Sequence, residues 1–145
     1  EQMQAAIDVF LLEHGFGGSD SIVAGAKDGG DCHERGTGAL RTEEPIIVDI
    51  FPRSASNRYN GDCTRTVVHG AIPDQIHRMH EAVVAAKAAA VRTLRTGVAG
   101  AEVHQATVDS LKTHGFVFGF PGKDQPADAV TMPHGTGHAF VSAFA

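Results

Sequence analysis

IIVDIFPRSASNRYNGDCTRT, residues 46–66, puts one aspartate inside a β-rich run and a second at the head of the next. PIIVDIF, 45–51, is apolar and β-branched apart from Asp49, and CTRTVVHG, 63–70, reads as another strand. The polar PRSASNRYNG between them is the connection of an antiparallel pair. A carboxylate in the middle of a central strand is taken out of water, so it must be neutralised, paired or given a metal. Asp62 begins the second strand, and the connection brings the two acids near each other. Like charges a few ångströms apart in a shielded site do not both stay ionised without a compensating cation, and a divalent metal is the simplest one. Local alternatives stay open. Asn-Gly-Asp is favourable turn chemistry for Asp62, and Arg65 or Arg53 would be a natural ion-pair partner for Asp49.

Outward from this pair, the spacing of Met3, Ile7, Phe10 and Leu11 predicts an amphipathic helix over 1–14, with Gly15 as its stop. SIVAGAK, 21–27, is a short β-rich run, and DGGDCHERGTGAL after it is a loop by composition. Downstream, Ile76, Met79, Val83, Ala86, Ala90 and Leu94 form one stripe of a long helix from Pro73 to Arg95, with Gly97 beyond its end. A further helix covers 101–114, and DAVTMPHGTGHAFVSAF reads as strand, Gly-rich turn, strand. The order α, β, ββ, αα, β describes an α+β domain with antiparallel strands and flanking helices.

At 145 residues, 42% hydrophobic and 20% charged, the chain has the size and composition of one globular domain. The net charge of -5, with no cluster of Lys or Arg, argues against nucleic acid or an anionic membrane as partner. No apolar run approaches the roughly 20 residues that span a bilayer. Cys32 and Cys63 form no C-x-x-C pair, so a reducing, cytoplasmic compartment is expected. The start at Glu1 and the end on VSAFA are those expected of a fragment.

Nine histidines are many for this length. His14, His77, His80, His104 and His114 fall on helix faces or ends, where solvated side chains are expected. The two in PHGTGH, 133–138, have the i, i+4 spacing of a helical zinc site, but the glycines between them oppose a helix. In a turned segment one imidazole can ligate a metal while the other moves protons, or both can be satisfied turn residues. His33, in DCHERGTGAL, precedes the Asp49 strand, and a solvated loop residue is the simpler description of it alone.

Taken together and in order, DCHERGTGAL, IIVDIFPRSASNRYNGDCTRT and PHGTGH resemble the pita-bread metallopeptidases: Xaa-Pro aminopeptidases, prolidases and methionine aminopeptidases. DIFPR, RYNGDCTRT and HGTGH are most similar to the Xaa-Pro branch. The resemblance covers nearly the whole chain and implies a partial metallopeptidase catalytic domain over 1–145. It implies that Asp49 ligates one metal, that Asp62 bridges two, and that His138 is the metal-binding histidine. His134 then matches the histidine that contacts substrate and assists the transition state, and His33 the pocket histidine that binds substrate. Arg65 would be a supporting partner of the carboxylates. The implied cofactors are two divalent ions, Mn, Co, Zn or Fe, holding a bridging water. The implied substrate is a peptide with proline second, and a homodimer stays open.

The sequence also departs from the pattern. The resemblance implies two glutamate ligands downstream of His138, and the chain ends before them; AFVSAFA, 139–145, puts Val141 and Ala145 where glycine and histidine are expected. Two carboxylates against two divalent cations leave the charge unbalanced, so weak binding of one ion and low or absent turnover are expected of these residues alone. A degenerate, non-catalytic member that binds a peptide or protein partner is the competing reading.

Overall fold

The helical spacing at the N-terminus produces α1, Gln2–Glu13, which buries Leu11 and is followed after His14 by Gly15 with φ 80°, a conformation that glycine adopts without strain. The computed structural model describes residues 1–17, 20–120 and 129–137. They fall into two compact units, Glu1–Pro73 and Asp74–Ala139.

In the first unit α1 leads into β1, Phe16–Gly17, and β2, Ile22–Gly25, followed by a single 3-10 turn over Asp28–Gly30. β3, Ile46–Ile50, β4, Arg53–Ser54, and β5, Cys63–Val67, complete it. β2, β3 and β5 form an antiparallel sheet in that order, so the Asp49 strand is central, as its apolar sequence implies. The connection between β3 and β5 is structured: β4 pairs with β1, and Arg53 forms a bridge with Asn60. Ile22, Val23, Ala24 and Ile46 supply the buried apolar side chains of the sheet.

Gln4 fastens α1 to this sheet. Its Nε2 donates to Ser21 O at 3.1 Å and to Arg35 O at 2.8 Å. Arg35 O also accepts from Val23 N at 3.2 Å, so the Gly-rich loop runs along the edge of β2 that β3 leaves open. Gly36 makes this approach feasible: φ is 80°, and a Cβ there would stand 2.1 Å from Val23 O.

The second unit holds α2, Asp74–Thr93, and α3, Gly100–Thr113, followed by β6, Val117–Phe118, and β7, Thr131–Met132. Glu102 accepts the Ala99 N–H at 3.3 Å and so satisfies a donor at the start of α3. The buried stripe of α2 is narrower than its sequence suggests. Ala82, Ala86 and Ala90 are buried, while Val83 is 54% and Leu94 60% exposed. Alanines at i, i+4 and i+8 let α3 approach closely with Thr107, Val108 and Leu111, and the larger residues turn outward. Ala82, Ala86 and Leu111 form a core to which Phe116 and Met132 add. β6 and β7 pair in parallel, unlike the antiparallel main sheet. The strand expected after PHGTGH lies outside the described residues.

Candidate metal centre

Register decides what surrounds Asp49. It stands opposite Ile22 of β2 and Thr64 of β5, so these three side chains share one face. Thr64 Oγ1 donates to Asp49 Oδ1 at 2.5 Å. Arg65 stands opposite Val48 and so belongs to the other face; its Nη1 donates to Thr64 O at 2.8 Å. Arg53 Nε donates to Arg58 O at 3.1 Å. Neither arginine takes the role of ion-pair partner for Asp49, and the threonine hydroxyl occupies that place. Strand side chains alternate with a period of two, so a residue next to Thr64 cannot share its face.

Asp62 directly precedes β5, two residues before Thr64, and is therefore the diagonal neighbour of Asp49 in the continuing ladder. Such diagonals lie roughly 7–8 Å apart at the backbone, within reach of paired carboxylates. Asp49 is half-buried and Asp62 exposed. The turn that delivers Asp62 is held by Gly61 N donating to Pro52 O at 2.7 Å.

His33 lies in the loop after the 3-10 turn, exposed, with its backbone N–H donating to Asp31 Oδ1 at 3.0 Å. Cys32 Sγ is 3.6 Å from His33 Nδ1. Thr37 anchors the far end of the loop by donating through N and Oγ1 to Asp28 Oδ2, at 3.0 and 3.1 Å.

In the second unit, His134 is exposed and donates through Nδ1 to Gly135 O at 2.8 Å. That bond fixes the proton on Nδ1, so Nε2 is an acceptor when the ring is neutral and a donor when it is cationic. His138 lies outside the described residues, as do Val141 and Ala145. His104 departs from expectation. It is half-buried, hydrogen-bonded through Nδ1 to Thr136 Oγ1 at 2.7 Å, and set edge-on to Phe118 with ring centroids 4.6 Å apart. His14, His77, His80 and His114 are exposed, as their positions suggest. Of the helical glutamates, Glu81 pairs with His77 at 3.5 Å and Glu102 with Arg95 at 3.4 Å.

The donor set suits a hard or borderline divalent cation. Asp49 has one oxygen oriented by Thr64, and a carboxylate offers about four acceptor positions, so capacity for an ion remains.

The family model of Metallopeptidase family M24 matches residues 1–141. Among solved structures, the dipeptidase PepE of Mycobacterium ulcerans is similar at 28% identity and TM-score 0.73, covering 79% of this chain and 31% of its own. The prolidase of Pyrococcus furiosus is similar at 21% and 0.73, covering 79% and 34%. The X-Pro aminopeptidase of Thermotoga maritima is similar at 22% and 0.72, covering 79% and 33%. The chain thus spans about a third of the length of these structures. No curated protein matches it in sequence. Among the described residues no helix is long and apolar enough to cross a membrane.

Proposed function

Because the chain belongs to Metallopeptidase family M24 and carries part of its α+β pita-bread fold, we propose that residues 1–145 are part of the catalytic domain of a metal-dependent peptidase that hydrolyses Xaa-Pro bonds. The observation that supports this best is the placement of Asp49 and Asp62 as diagonal neighbours across β3 and β5, with Asp49 oriented by Thr64. The dipeptidase name of the Mycobacterium ulcerans structure supports peptide hydrolysis. The Xaa-Pro preference rests on the DIFPR, RYNGDCTRT and HGTGH motifs.

Asp49, Asp62 and His138 are the proposed ligands of divalent ions, two in the complete domain. A divalent ion held there supplies Lewis acidity and an acidified water. The chain's own groups do the rest. Thr64 keeps Asp49 in one rotamer, so its carboxylate meets an ion without reorganising. His134 acts through Nε2, because Nδ1 is committed to Gly135 O: the cationic ring donates to a developing oxyanion or to the leaving amine. His33 contacts the substrate from its loop. A cytoplasmic setting and manganese as the resident metal belong to the same proposal.

Calorimetric titration of the chain with Mn2+ tests it. The unaltered chain should bind an ion, Asp62→Asn and His138→Ala should lose it, and His77→Ala should keep it. Equal uptake by all three variants would refute the ligand assignment. A longer protein that contains these residues should cleave an Xaa-Pro dipeptide, and cleavage that persists after complete metal removal would refute the metallopeptidase reading.

A further inference from the structure

We infer that His104 is a positioning residue for the loop that carries His134, acting through Thr136. This rests on the catalytic reading of His134 given above, and all the groups concerned lie within the second unit.

Pro133-His134-Gly135-Thr136-Gly137 has glycine on both sides of its threonine, and glycine leaves a backbone free to wander. Among the described residues packing does not restrain these glycines, since a Cβ added at Gly135 or Gly137 would meet none of their atoms within 4 Å. Order in the loop must therefore come from side chains. Thr136 is the one non-glycine residue between His134 and His138, and its Oγ1 is bonded to His104 Nδ1 at 2.7 Å, 32 residues away in sequence.

The anchor is itself rigid. His104 stands on α3 one turn before the buried Thr107 and Val108, and its ring is edge-on to Phe118 at an interplanar angle of 77°. Phe118 is also the ladder partner of Met132, and Gly119 N donates to Met132 O at 3.0 Å. The strand entering the loop and the threonine inside it are thus fixed to the same aromatic corner. His104, His134 and Thr136 are among the residues lining a half-open groove of about 1010 Å³, whose rim includes the exposed Val83, Val91 and Leu94. The hydrogen bond is partly shielded there and competes less with water than it would on an open surface. His134, two residues from Thr136, then presents Nε2 from a defined backbone.

NMR of the chain tests this with three variants. His104→Phe keeps a flat ring against Phe118 but removes the nitrogen. Thr136→Val removes the hydroxyl and leaves α3 untouched, so it decides the matter should the helix variant misfold. Thr136→Ser restores the hydroxyl. In both deletion variants the Gly135 and Gly137 amides should exchange about 10-fold faster, as expected for loss of one hydrogen bond, and His134 should lose its Nδ1–H signature. Thr136→Ser should restore both. Unchanged glycine exchange and an unchanged His134 tautomer in Thr136→Val would overturn the inference. The Mn2+ titration is independent of this: an unaltered chain that takes up no ion refutes the assignment of Asp49, Asp62 and His138 as ligands, whereas the glycine amides alone decide the positioning.

Discussion

Thr64 Oγ1 donates a 2.5 Å hydrogen bond to Asp49 Oδ1 across a directly opposed pair of β3 and β5, while Arg65 beside it serves the other face. Thr64→Val should therefore weaken Mn2+ affinity about 10–100-fold and cost at most about 1.5 kcal/mol of stability. Thr64→Ser should recover the affinity. Arg65→Ala should leave it unchanged, and parallel titrations of the three variants compare them directly.

Binding that favours the folded state raises its stability by mass action. At a free Mn2+ concentration of about 100 times Kd the gain should be about 2.7 kcal/mol, removed by EDTA. Asp49→Asn should melt at the same temperature with and without the ion. A metal-induced shift that survives this substitution would place the ion elsewhere.

Gly36 combines a φ of 80° with the contact a Cβ would make 2.1 Å from Val23 O. Gly36→Ala should destabilise the first unit by about 3 kcal/mol or more, read as a lowered urea midpoint. Gly38 shares the left-handed conformation, at φ 72°, but a Cβ there would meet no described residue within 4 Å. Gly38→Ala should cost only about 1 kcal/mol.

The helix pair separates size from burial. Ala82 is fully buried, so Ala82→Leu should cost about 1–3 kcal/mol through overpacking. Val83, next to it, is 54% exposed, and Val83→Ala should stay within about 0.5 kcal/mol of the unaltered chain. Thermal denaturation of the two variants gives the comparison.

Long periodic elements were legible in the sequence: α1, α2, α3 and the central position of β3 follow from spacing and β-branching alone. β1, β4 and β6 were not, because two-residue strands carry no period and exist only through their partners. Within α2 the spacing favoured Val83 and Leu94, yet the close approach of α3 selected the alanines. The partner of Asp49 followed from register, which determines that Thr64 and not Arg65 faces it. His104 had no local signal, since its partner Thr136 is 32 residues away. His33 and His134 stand in the loops their motifs indicated.

β5 has β3 on one side, and among the described residues no other strand joins it; Thr64, Arg65, Thr66 and Val67 are exposed. Such a rim invites intermolecular strand pairing, and a bulky cation is one of the usual deterrents. The Arg65 guanidinium, laid against Thr64 O, fills that office here. Its removal would be felt first as aggregation in concentrated solution, with the fold of each dissolved molecule intact.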